Sequence, residues 1–100
     1  MPDLKNSNIL YDKTVETFTS ANGNNNFDFT DLADGLYYFS LYSTNSLRYL
    51  IMSLLINSNG YTGYIERVIN IGAATINTES KIITVSIGEV EDYNYSLTKL

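Results

Sequence analysis

From Leu36 to Tyr42 the chain alternates, setting Tyr37, Phe39 and Leu41 on one side and Leu36, Tyr38 and Tyr42 on the other, around Ser40. Strand-favouring residues at period two predict a β-strand here. After the polar break Ser43-Thr44-Asn45-Ser46, a second apolar run from Leu47 to Ile56 supports two readings. As a helix it presents Leu47, Leu50, Ile51, Leu54 and Leu55 as one stripe, with Ser46 as its cap. As a strand it turns Leu47, Tyr49, Ile51 and Leu55 one way and Leu50, Met52, Leu54 and Ile56 the other. Flanks that look like hairpin turns favour the strand.

A strand with two apolar faces needs cover on both, and one small domain has little material for a second cover. Another subunit is therefore the expected lid, with Leu50, Met52, Leu54 and Ile56 as the expected interface. The alternative is a wholly intramolecular core that leaves a few leucines exposed.

Elsewhere the pattern is short and punctuated. Residues 1–8 are polar and read as an N-terminal arm, leaving 9–100 as one β-rich domain. Lys13 to Thr19 predicts a first strand, Ser20 to Asn26 a loop whose Asn22-Gly23 pair favours positive φ, and Phe27 to Thr30 a brief second strand. The segment Thr30 to Gly35 reads as one capped helical turn or a compact turn closed by glycine. Asn57-Ser58-Asn59-Gly60 carries another Asn-Gly pair and predicts a hairpin into the next strand. Tyr64 to Ile71 alternates Ile65, Arg67, Ile69 and Ile71 against Tyr64, Glu66, Val68 and Asn70. Gly72 interrupts the pattern, Ala73 to Asn77 resumes it, and Thr78 to Ser80 turns it. Lys81 to Ile87 then gives Ile83, Val85 and Ile87 as an inner set, and Tyr93 to Leu97 gives a last strand. About seven or eight short strands at near-regular spacing predict an all-β fold, a small antiparallel β-sandwich or barrel.

Composition narrows the chemistry. The 100 residues include no cysteine and no histidine, which removes disulfides, thiolate metal sites, the usual general base and the commonest metal ligand. A net charge of -5 with only 6 basic residues, none clustered, argues against nucleic-acid binding. No apolar run approaches the ~20 residues of a membrane helix, and the first residues lack a secretory pattern. These features predict no membrane insertion and synthesis in the cytoplasm. Asn, Ser, Thr and Tyr dilute the charge, giving neutral hydrogen-bonding surfaces suited to protein or sugar contacts. An AT-rich genome enriches several of the same residues without functional cause.

Two acidic sets are candidates for paired-carboxylate hydrolysis: Asp28, Asp31 and Asp34, and Glu89, Glu91 and Asp92. Each falls at a turn or strand end, where acids are ordinarily solvated or capping, and no nucleophile stands beside a base. No catalytic residue and no cofactor is therefore expected. Asn24 to Asp28 offers oxygen donors at alternate positions but lacks the glycine and final acid of a helix-loop-helix calcium site, so no metal site is expected either. Tyr61 and Tyr64, with Arg67, form the candidate ligand-binding patch, since tyrosine gives contact area at small entropic cost. Covering a strand face is the plainer role for the same rings.

The segment Asp31-Leu32-Ala33-Asp34-Gly35-Leu36-Tyr37-Tyr38-Phe39, followed by Ser43-Thr44-Asn45-Ser46 and an apolar strand ending at Asn57 to Gly60, resembles the knob-like modules of bacteriophage tail fibres and head fibres. The resemblance implies a non-enzymatic virion protein that self-associates, often as a trimer, beside other virion proteins. It also implies exposure on the particle, where two jobs fit a fibre knob or capsid decoration: attachment to a host surface glycan or protein, and decoration or reinforcement of the shell. A small glycan-binding or glycan-processing protein, using tyrosines and carboxylates, is the alternative.

Overall fold

The computed structural model describes residues 7–57, 60–77 and 79–100. Among these it forms nine strands: β1 (Ser7–Ile9), β2 (Thr14–Thr19), β3 (Gly23–Asp28), β4 (Gly35–Ser43), β5 (Tyr49–Asn57), β6 (Gly60–Ile69), β7 (Ala74–Asn77), β8 (Ile82–Ile87) and β9 (Asp92–Lys99). They assemble into a four-stranded sheet, β1-β3-β8-β7, and a five-stranded sheet, β2-β9-β4-β5-β6. All pairings are antiparallel except β1 with β3. The fold is a β-sandwich. Residues 47–56 are strand rather than helix from Tyr49 onwards.

Alternation decides what lies between the sheets. The larger sheet contributes Tyr37, Phe39, Leu41, Leu50, Met52, Leu54, Ile56, Tyr93, Tyr95 and Leu97, all buried. From the smaller sheet come Phe27, Ile83, Val85 and Ile87, as the period-two reading of Lys81 to Ile87 requires. Phe27 bridges the layers, its ring 5.0 Å from Phe39, 5.2 Å from Tyr95 and 5.4 Å from Phe18. Each such side chain contributes about 1.5–3 kcal/mol by leaving water. Gly63 serves close packing within β6, because a Cβ there would run into Ile76 Cδ1 of β7.

Three sequence expectations are corrected. Ser20 to Asn26 is not all loop, since β3 begins at Gly23. Asparagine disfavours strands, but here the Asn25 and Asn26 side chains find hydrogen-bond partners. Asn24 and Asn26 lie opposite Ser86 and Thr84 on the outer face, and Thr84 Oγ1 donates to Asn26 Oδ1 at 2.9 Å. Asn25 turns inward and is matched by backbone: its Oδ1 accepts from Ala21 N at 2.7 Å, and its Nδ2 donates to Ala21 O and Gly23 O at 3.1 Å. The reversal read from Asn22-Gly23 stands, with Gly23 at φ 126°.

The second correction concerns β6. Its register against β5 shifts between Ile51 and Met52, which pair with Arg67 and Ile65. Glu66 is thus the extra residue of a β-bulge, and the alternation breaks there. A strict period would put Arg67 beside Ile65 on the core side, whereas the bulge returns it to the outside. The third is the boundary after residue 8, which falls inside β1, a strand hydrogen-bonded to β3. The remainder of the expected arm, residues 1–6, lies outside the described residues, as do residues 58 and 59 of the hairpin and Thr78 of the later turn.

Candidate functional site

The outer face of the five-stranded sheet is built by the residues that alternate with the core. Strand β4 places Leu36, Tyr38, Ser40 and Tyr42 there, and β5 places Tyr49, Ile51, Ser53 and Leu55. Cross-strand register fixes the rows: Thr98-Tyr38-Ser53-Tyr64, then Ser96-Ser40-Ile51-Arg67, then Asn94-Tyr42-Tyr49-Ile69. Leu36, Tyr38, Tyr42 and Leu55 are each 42% to 49% exposed, and Tyr64 is 66% exposed. Neither β4 nor β5 contains a charged residue. Glu66 and Arg67 stand at the β6 rim and Asp92 at a corner, where it accepts from Thr19 Oγ1 at 2.8 Å.

Polar atoms on this face are largely paired within the chain. Ser40 Oγ and Ser96 Oγ share a hydrogen bond of 2.6 Å, and Ser53 Oγ donates to Glu66 Oε2 at 3.0 Å. Arg67 Nε donates to Tyr49 Oη at 2.6 Å, and Asn94 Nδ2 to Tyr42 Oη at 3.3 Å. A surface of hydrocarbon whose serines and Tyr42 and Tyr49 hydroxyls are already paired loses little at those groups when water is removed from it.

The three expected ligand contacts divide. The bulge brings Tyr64 and Arg67 onto this one face. Tyr61 points to the opposite side of β6, partly buried against the core, with its ring 5.5 Å from Phe29 and Lys81 Nζ 5.3 Å from its centroid. The expected interface needs correction as well. Leu50, Met52, Leu54 and Ile56 are at most 4% exposed and pack between the sheets, so a partner cannot reach them. The accessible side of β5 is Tyr49, Ile51, Ser53 and Leu55. Ser53 was the available signal, since a serine amid large apolar residues marks the side that need not be core.

The acidic sets do not converge. Asp28, Asp31 and Asp34 flank the β3–β4 connection at one end of the sandwich, where Asp28 Oδ1 accepts from Thr30 N at 2.8 Å. Glu89 and Glu91 lie in the β8–β9 connection at the other end, and Asp92 opens β9 beside them. There Glu91 Oε1 accepts from Ser43 Oγ at 2.6 Å and Ser46 Oγ at 2.7 Å, while Arg48 Nε meets its Oε2 at 2.9 Å. Arg48 also pairs with Glu89 at 2.9 Å and donates to Asn70 O at 3.0 Å, tying three connections together. The hydrogen bonds from Ser43 and Ser46, then the Arg48 charge, hold the Glu91 carboxyl below its ordinary value of 4.5. Among the described residues no group of three or more acids could hold a metal ion. The oxygen donors of Asn24 to Asp28 weighed for calcium are separated by the pleat, with Asn25 turned away from Asn24 and Asn26.

A cleft of about 490 Å³ opens along β3, lined by Asn8, Phe18, Thr19, Ala21 and Asn24 to Asn26. Much of its hydrogen-bonding capacity is spent within the fold: Asn25 is committed to backbone, Asn26 Oδ1 to Thr84, and Asn8 Nδ2 to Asn26 O at 3.1 Å.

No protein-family model matches the chain, and neither a curated protein nor a solved structure matches it.

Proposed function

We propose that this chain is a non-enzymatic structural module, displayed on a phage particle as a fibre knob or capsid decoration, that works by self-association. The outer face of the five-stranded sheet carries the reading: apolar, free of charge on its central strands, and internally hydrogen-bonded. Such a face is suited to contact with protein and offers no reactive group. Placement on a virion draws its support from the Asp31 to Phe39 segment and the polar Ser43 to Ser46 step, which resemble fibre knobs.

Two measurements test the two parts. Light scattering across a tenfold dilution is expected to return a multiple of the 11.2 kDa chain mass, and a single chain at every concentration would overturn self-association. Mass spectrometry of purified, nuclease-treated particles encoding the chain is expected to detect it at structural stoichiometry. Its absence from intact particles would overturn the virion placement.

A further inference from the structure

We infer that the outer face of the five-stranded sheet is covered by the same face of a second copy of this chain, the two related by a two-fold axis. The inference rests on the reading of the chain as a self-associating module and adds to it the surface, the symmetry and the number of copies.

Charge is the first argument for a second copy as the occupant. The chain carries a net charge of -5, yet β4 and β5 contribute none of it. Two acidic molecules meet with least repulsion where neither is acidic, and a strongly basic partner would find no carboxylate on β4 or β5 to pair with. The charges at the β6 rim are Glu66 and Arg67, adjacent and opposite in sign. An axis running across the strands sets β6 against the copy's β6, so each Arg67 approaches the other's Glu66. That arrangement is self-complementary, as a two-fold interface requires.

Shape gives the second argument. Ser53 is a low point between Tyr38 and Tyr64 in one row, and the Ser40–Ser96 pair is a trough between the rings of Tyr38 and Tyr42. Ridges of tyrosine beside troughs of serine let identical faces interdigitate at the usual sheet separation of about 10 Å. Size is the third. Five strands about 4.8 Å apart and about nine residues long make a face of roughly 700 Å², close to the ~800 Å² per partner of a stable protein interface. A three-fold ring would instead need two different complementary patches on each chain.

Light scattering with outward-facing variants tests this. The wild type is expected at twice the 11.2 kDa chain mass. Tyr38→Glu and Leu55→Glu should each weaken pairing by roughly 100-fold while keeping the far-ultraviolet spectrum, whereas Thr84→Glu on the other sheet should leave the mass at two chains. Three or more chains, or a dimer that persists in the folded Tyr38 and Leu55 variants, would overturn the two-fold face while leaving self-association in place. One chain in the wild type would overturn both. Methyl NMR of the wild type on dilution needs no variant. Leu36, Ile51 and Leu55 are expected to shift with concentration while Ile82 does not, and the reverse pattern would overturn the assignment.

Discussion

The two outer faces of this sandwich are made by the same rule and differ in chemistry. Behind each, alternate residues are buried in a shared core. On the four-stranded sheet the outward set includes Asn24, Asn26, Thr84 and Ser86, which suits contact with water. On the five-stranded sheet it includes Leu36, Tyr38, Tyr42, Ile51 and Leu55, whose rings and methyl groups gain nothing from water. Burial in the core therefore does not explain where all the large side chains of this chain go. Those of β4 and β5 are divided between an inside, which folding covers, and an outside, which folding leaves partly exposed.

The strongest way to break that contrast is to charge neighbouring residues of β5. Leu54→Asp places a carboxylate in the core, 0% exposed, and is expected to remove more than about 4 kcal/mol, abolishing the thermal transition in calorimetry. Leu55→Asp, one residue on, should change the stability of the isolated chain by less than about 1 kcal/mol and act on association instead. Equal losses of fold in both would mean that the outer face is not a separate surface. On the smaller sheet, Asn25→Ala leaves the Ala21 and Gly23 backbone groups unmatched and is expected to lower stability by about 2 kcal/mol in urea titration. No loss would show that the inward amide is incidental to β3.

Smaller effects sharpen the picture of the core itself. Tyr93 is buried, and its hydroxyl has no hydrogen-bond partner among the described residues. Burial pushes its pKa up, with Glu91 adding to the rise. Tyr93→Phe should therefore raise stability by about 1 kcal/mol, or roughly 4–8 °C in Tm, and a clear loss would contradict an unpaired hydroxyl. The smallest effect concerns the Glu91 clasp at the loop end. Because its folded pKa lies below the ordinary glutamate value of 4.5, the stability it supplies is complete above that value and is lost as pH falls through the lowered one. Glu91→Gln should flatten the acid limb of Tm against pH below about 4.5 without altering the neutral plateau shape. An unchanged acid limb would place the acid sensitivity elsewhere.

Much of this was legible in the chain. Alternation at Leu36 to Tyr42 separated the core residues Tyr37, Phe39 and Leu41 from the outward Leu36, Tyr38 and Tyr42. Lys81 to Ile87 read equally well. Less legible was which side of β5 faces in, because both are apolar and the choice depends on where the smaller sheet lies. The asparagine run was misread since its strand is made by partners distant in sequence, Ser86 and Thr84, which local propensity does not see. A periodic reading also passed over the bulge in β6, although Arg67 at an apparent core position was its trace: a guanidinium among leucines is too unfavourable, so the backbone takes up an extra residue instead.

That extra residue also limits how the molecule can grow. An edge strand of ten residues, paired on one side only among the described residues, is a template on which further strands could add without end, as in fibres. At Glu66 the ladder is interrupted, and an incoming strand that pairs before the bulge falls out of register beyond it. Polymerisation along the edge is thereby discouraged, and the proposed two-fold pairing of faces would close on two copies and stop.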